Sequence, residues 1–228
     1  MIDGHLRTSI EKGLKPVGAN LRKAGITADH LTLLGVLMAV AACGAIASGH
    51  LELGLFLLIL SAVPDALDGA VAKASGTASP RGAFFDSTAD RVTDALLLGG
   101  IAWYLASTNP GRIAILPMAV LAASMLISYE RARAESLGFD AKGGLMERAE
   151  RLLLLGVALL FDGLLIPILW LMLVLTVFTA VPRFAKVWRQ ASVERPGSPS
   201  TRRTPRRPRA SARVSLANRR SRSGRSWS

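Results

Sequence analysis

Four aspartates stand close together in the first half of the chain: Asp65 and Asp68 in the run Asp65-Ala-Leu-Asp68-Gly69-Ala-Val-Ala-Lys73, then Asp86 and Asp90 beyond Gly82. Spacings of three and four put each pair on one face of a helix, and the Gly/Ser/Pro-rich loop 75–82 lets the two helices fold against each other. The flanking sequence is apolar, so ionised carboxylates are costly there unless a cation neutralises them. Oxygen donors suit hard ions, which makes Mg²⁺ or Mn²⁺ the expected ligand, and four carboxylates have room for two ions. A two-metal site is suited to in-line displacement at phosphorus, one ion steadying the attacking oxygen and the other the leaving oxygen. Asp94 continues the same face one turn beyond Asp90.

Those aspartates must be positioned by elements built for lipid. Half of the 228 residues are hydrophobic and the mean hydropathy is +0.36, a composition of the membrane class. Six apolar segments, 31–48, 54–73, 83–106, 113–136, 147–162 and 164–186, predict an all-α membrane protein with six transmembrane helices. The last two are parted only by Asp162 and Gly163. Before them, Leu6, Ile10, Leu14, Val17 and Leu21 recur at helical spacing among Arg and Lys, predicting an amphipathic interfacial helix over 5–23. The domain plan is thus a juxtamembrane helix and linker over 1–30, a transmembrane domain over 31–189, and a tail over 190–228.

Charge sets the orientation. The net charge of +12 sits largely in that tail, which holds eleven Arg against one acidic residue, Glu194. Rich in Arg, Ser and Pro and without an apolar period, the tail reads as disordered and suited to anionic headgroups. No aromatic platform or fold motif supports nucleic acid as a partner. With a cytoplasmic N-terminus, only Arg112 of the 28 basic residues would lie outside, so both termini and the aspartates are expected at the cytoplasmic face of a cell membrane. Residues 1–30 have no apolar core stretch of the kind a cleavable signal peptide carries. The single cysteine, Cys43, lies in an apolar run and reads as a small buried hydrophobe.

The aspartate pattern resembles the signature of the CDP-alcohol phosphotransferase family, D-x2-D-G-x2-A-R-x8-G-x3-D-x3-D. Eight positions are fixed over 26 residues, and the only departure is Lys73 where the family has Arg. Lys keeps a positive charge for a phosphate but lacks the planar fork that grips one bidentately. The resemblance implies that Asp65, Asp68, Asp86 and Asp90 bind metal, with Asp90 also the general base that takes the acceptor's proton. It further implies that Asp29, Thr32, Gly69, Lys73, Ser79 and Gly82 contact the CDP-linked lipid. Helix N-capping is the competing reading for Asp29 and Thr32, and His30 reads as interfacial.

A second constellation bears on the acceptor alcohol: Arg131 and Arg133 after Ser128-Tyr-Glu, then Gly143-Gly-Leu-Met-Glu147-Arg148-Ala-Glu150-Arg151, and Pro182-Arg183. Arginines at the cytoplasmic ends of three segments can converge on a second anionic substrate. These stretches are similar to those of the family's actinobacterial phosphatidylinositol phosphate synthases. That likeness implies CDP-diacylglycerol and inositol phosphate as substrates, an acceptor-phosphate pocket of Arg131, Arg148, Arg151 and Arg183, and a homodimer. The competing readings are a synthase using glycerol 3-phosphate, a divalent-cation transporter, and an inactive scaffold. For the arginines themselves the competing role is positive-inside anchoring, with Glu130, Glu135, Glu147 and Glu150 as helix partners.

Overall fold

Thr27 opens the first helix with a reciprocal cap: its Oγ1 accepts from the His30 amide at 3.3 Å, and its own amide donates to His30 Nδ1 at 3.4 Å. The computed structural model describes residues 25, 27–75, 79–109, 111–141 and 143–192, and the side chains of all of these except 65–75. Six α-helices follow one another: α1 (Ala28–Ala47), α2 (Leu51–Ser75), α3 (Pro80–Thr108), α4 (Ile115–Ser136), α5 (Arg148–Leu160) and α6 (Leu165–Ser192). A 3-10 turn at Asp162–Leu164 precedes the last, and the described residues contain no strand. The expected interfacial helix over 5–23 lies outside the described residues, as does the tail beyond Ser192.

The first four helices match the apolar segments, with boundaries displaced by no more than three residues. Hydropathy marks where the apolar stretch begins, whereas the helix begins at its cap. Ser79, followed by Pro80 at the first helical position, starts α3 by accepting from the Gly82 amide at 3.1 Å. The segment expected over 147–162 is a helix of only 13 residues, about 20 Å long at ~1.5 Å per residue. At the other end, α6 runs through Ser192, so residues 190–192 belong to the helix rather than to the tail.

Among the described residues, three stretches are long and apolar enough to cross a membrane by themselves: Ala28–Ala47, Ile115–Ser136 and Asp162–Ser192. Six crossings exceed that count because α5 is short, because α3 carries charge through its first half, and because the described apolar part of α2, Leu51–Pro64, is also short. The apolar exterior fits lipid, with Phe56, Trp103, Leu153, Trp170 and Phe178 exposed.

The helix contacts close into a ring. Helix α1 packs on α2 and α3, α3 on α4, α4 on α6, α6 on α5, and α5 on α2. Leu97, Ile101 and Leu105 of α3 meet Ile46, Leu155, Leu159, Leu169 and Met172 in one buried cluster. Close approach depends on small residues. A methyl group at Gly100 would lie 2.9 Å from the Cys43 carbonyl oxygen of α1, and Ser61 Oγ of α2 donates to the Gly35 carbonyl at 2.9 Å.

Cross-helix bonds mark the two ends of the ring. At one end Asp162 Oδ1 accepts from the Tyr104 hydroxyl at 3.2 Å. At the other lie the starts of α1, α3 and α5 and the finishes of α2, α4 and α6, where every residue of the two constellations falls.

Candidate active site

Helix α3 presents Asp86, Asp90 and Asp94 at successive turns, and they become more buried with depth. Asp86 and Asp90 are half-buried, whereas Asp94 is 5% exposed. The first two signature aspartates, Asp65 and Asp68, lie with Gly69 and Lys73 on the last turns of α2, where the backbone is helical and the side chains fall outside the description. Among residues with described side chains, no group of three or more His, Cys, Asp or Glu is arranged to hold a metal. The described share of the expected cluster is the Asp86 and Asp90 pair.

Helix α5 starts at the same end, and its arginines reach the aspartates of α3. Arg148 Nη1 is 2.9 Å from Asp90 Oδ1, and Arg148 Nε is 4.0 Å from Asp94 Oδ1. Three residues deeper, Arg151 Nη2 donates to Asp94 Oδ2 at 2.8 Å and Nη1 to the Met146 carbonyl at 3.4 Å. The other Asp90 oxygen is 3.5 Å from Arg91 Nη2. Carboxylate and guanidinium thus alternate across the two helices, so each cation that flanks the aspartates is fixed by charge-assisted bonds.

Arg183 enters from α6, where it is 6% exposed. Its Nη1 donates to the Ile127 carbonyl at 3.0 Å and its Nη2 to the Gly143 carbonyl at 2.7 Å, tying α4 and the 137–147 loop to α6. The loop passes Arg183 closely at Gly143 and Gly144, which carry no side chains. Gly143 has φ +95°, and a Cβ at Gly144 would lie 2.6 Å from Thr179 Cγ2 and 2.9 Å from Arg183 Nη2. Arg131, at the end of α4, pairs with Glu135 at 3.0 Å. Glu147 Oε1 stands between the two, 3.8 Å from Arg131 Nη1 and 3.8 Å from Arg183 Nη2.

All four arginines singled out from the sequence therefore lie at the end where the aspartates lie, and Arg148 touches one of them directly. The smaller residues take more local parts. Ser79 caps α3, and Gly82 faces little protein, since an added Cβ would meet only Ser79 Oγ at 3.4 Å. Asp29 Oδ2 is 3.5 Å from Arg81 Nη2, and buried Thr32 donates back to the Ala28 carbonyl at 3.1 Å. Neither caps α1, because Thr27 and His30 do so, and His30 adds that capping role to its exposed position at the helix start.

A conserved-family model supplies the deciding match: the model described as CDP-alcohol phosphatidyltransferase aligns with residues 25–182, from just before α1 to Pro182 of α6, the residue before Arg183. The chain belongs to the CDP-alcohol phosphatidyltransferase family. It is therefore a membrane-embedded transferase of phospholipid synthesis. Family relatives include a phosphatidylinositol phosphate synthase of Mycobacteroides abscessus, 36% identical over 69% of this chain and 72% of that one. An archaetidylinositol phosphate synthase of Methanothermobacter thermautotrophicus is 35% identical over 81% of this chain and 93% of its own length. Among solved structures of the family, the Mycobacterium tuberculosis phosphatidylinositol phosphate synthase with CDP-DAG bound superposes with a TM-score of 0.71 at 33% identity, covering 77% of this chain and 93% of that one. The same enzyme in complex with manganese and citrate gives a TM-score of 0.71, covering 77% and 88%.

Within this family fold, sequence reasoning missed the bridging position of Glu147 and the contact of Asp94 with two arginines. A signal for the second was present: Asp94 continues the spacing of Asp86 and Asp90, and Arg151 lies three residues past Arg148.

Proposed function

We propose that the protein transfers the diacylglycerol phosphate group of CDP-diacylglycerol to inositol phosphate, giving phosphatidylinositol phosphate and CMP. The observation that carries this reading is the junction of two chemistries in one contact, Arg148 Nη1 on Asp90 Oδ1 at 2.9 Å. A carboxylate of the transfer signature and a cation of the basic cluster lie side by side, as a reaction between an activated lipid and a phosphorylated acceptor requires. The relatives add support for the acceptor. Synthases named for phosphatidyl and for archaetidyl lipids share inositol phosphate in their names, so the lipid varies while the acceptor does not.

The donor set fits two divalent ions by its chemistry: four aspartates in two helical pairs, all hard oxygen donors, at the end of the ring where α2 finishes and α3 starts. Asp65, Asp68, Asp86 and Asp90 would hold Mg²⁺, or Mn²⁺ as in the solved relative. When bound, the ions supply charge neutralisation at the reacting phosphate and at the leaving CMP. Asp90 takes the proton from the attacking hydroxyl of the acceptor. Gly69 and Gly82 leave room for the cytidine and diphosphate, Lys73 offers a charge to the latter, and Ser79, Asp29 and Thr32 line the donor side. Arg131, Arg148, Arg151 and Arg183 receive the acceptor's phosphate, which orients its hydroxyl toward the phosphorus under attack. The chain spans the membrane six times as a homodimer, with termini and site on the cytoplasmic side.

Glycerol 3-phosphate would suit the same basic pocket, so the deciding experiment offers both acceptors. Purified protein with CDP-diacylglycerol and Mg²⁺ is given inositol phosphate or glycerol 3-phosphate, and CMP release is measured. Release with inositol phosphate supports the reading; release with glycerol 3-phosphate alone overturns it. A transporter would instead pass metal into vesicles without consuming CDP-lipid, and membership of a transferase family speaks against it.

A further inference from the structure

The Asp94–Arg151 pair is buried at a cost that packing does not explain. Both residues are 5% exposed, and they face an enclosed space lined by Leu97, Leu98, Leu152, Leu155 and Met172. Withdrawing a carboxylate and a guanidinium from water in such surroundings is expensive, and apolar side chains of similar volume would hold α3 to α5 as well or better. Apolar side chains would not, however, fix the direction of a guanidinium.

The register of the two helices shows what is being directed. Asp90 and Asp94 are one turn apart on α3, Arg148 and Arg151 are one turn apart on α5, and both helices start at the same end. Asp94 Oδ2 takes Arg151 Nη2 at 2.8 Å, while Oδ1 lies 4.0 Å from Arg148 Nε, whose Nη1 is already on Asp90. Asp94 therefore holds Arg151 by a charge-assisted hydrogen bond and lies beside Arg148 only at ion-pair range.

We infer that Asp94 is a positioning residue for the acceptor: by its hydrogen bond to Arg151, and by its charge beside Arg148, it sets the α5 cations that hold the phosphate of a phosphorylated polyol beside Asp90. This rests on the proposed role of the α5 arginines. It adds a fifth aspartate, outside the metal signature, that joins the two substrate sites.

The test uses the full chain in detergent, comparing Asp94→Asn and Asp94→Glu with the unmodified protein. Two readouts are taken: CMP release against the concentration of each substrate, and the rise in melting temperature on adding the acceptor without CDP-lipid. Asp94→Asn is expected to raise the acceptor KM about tenfold or more, as loss of a group that orients a ligand does. It should leave the KM for CDP-diacylglycerol unchanged and remove the acceptor-induced melting shift, with Asp94→Glu restoring part of both. If Asp94→Asn fails to fold, Arg151→Lys and Asp94→Glu are read in the same way. A lower melting temperature with both KM values unchanged overturns the inference, since the pair would then only pack. Weakened Mn²⁺ binding by electron paramagnetic resonance with an unchanged acceptor KM also overturns it, since Asp94 would then serve the metals. If the unmodified protein uses only glycerol 3-phosphate, the proposed function fails while the Asp94 comparison proceeds with that acceptor.

Discussion

In the proposed reaction Asp90 meets two demands, ligating metal and accepting a proton, and the structure flanks it with Arg148 at 2.9 Å and Arg91 at 3.5 Å. Asp90→Asn keeps the shape and removes both capacities, so kcat should fall by roughly 10²–10⁴-fold with folding retained, measured by CMP release and by melting in detergent. Chelation by EDTA should abolish turnover, and Mg²⁺ or Mn²⁺ should restore it. Glu147 poses the opposite case. Its Oε1 lies 3.8 Å from Arg131 and from Arg183, a carboxylate between two cations assigned to a phosphate. An incoming phosphate must displace or repel it, so Glu147→Gln should lower the acceptor KM while leaving that for CDP-diacylglycerol unchanged; an unchanged acceptor KM would remove Glu147 from the pocket. Residue identities at this end were legible from the sequence because aspartates and arginines in apolar surroundings are costly and recur at helical spacing. Pairings such as Glu147 with Arg183 were not, because they join residues far apart in the chain through a glycine loop whose path no periodicity encodes.

Helices were legible to within a turn for the same reason, since apolar length is a composition property, except that α6 runs six residues past its apolar segment to Ser192. Their exact starts depend on single side chains, Thr27 with His30 for α1 and Ser79 with Pro80 for α3, and a hydropathy window averages those away. The brevity of α5 was hidden too: Glu147-Arg148 and Glu150-Arg151 open it with charge, yet the apolar run beyond reads the same whether 13 residues or 18 are helical. Packing of α1 on α3 has one point where the backbones meet. An alanine methyl at Gly100 would lie 2.9 Å from the Cys43 carbonyl oxygen and 3.1 Å from its Cα, which backbone cannot relieve by a rotamer change. Gly100→Ala should therefore destabilise by about 1–3 kcal/mol, read as a lower melting temperature in detergent with substrate KM values unchanged. Gly144→Ala makes the contrasting element-level prediction. Its methyl would press on the Arg183 guanidinium at 2.9 Å, so acceptor KM should rise more than stability falls.

At the scale of the whole molecule, the ring has one polar end and one nearly uncharged end, and the membrane turns that asymmetry into an orientation. The polar end gathers the aspartates, the four arginines and the 137–147 loop, where Lys186 also holds Asp140 at 2.9 Å. The opposite end offers Arg112 as its basic residue, with Glu52 and Asp162 nearby in sequence to the short connections there. Positive charge is retained on the cytoplasmic side during insertion, and a site fed by soluble inositol phosphate and releasing CMP needs to face the compartment that holds them. The proposed reaction and the charge bias both predict that the polar end lies inside. The arrangement can be read by labelling after Cys43→Ser leaves no native thiol. Ser107→Cys, exposed near the finish of α3, should react with a membrane-impermeant maleimide in intact cells. Ser136→Cys, exposed at the finish of α4, should react only after the membrane is opened. The reverse pattern would put the aspartates on the outer side, away from a nucleotide-linked lipid made within the cell, and the proposed reaction would fail with it.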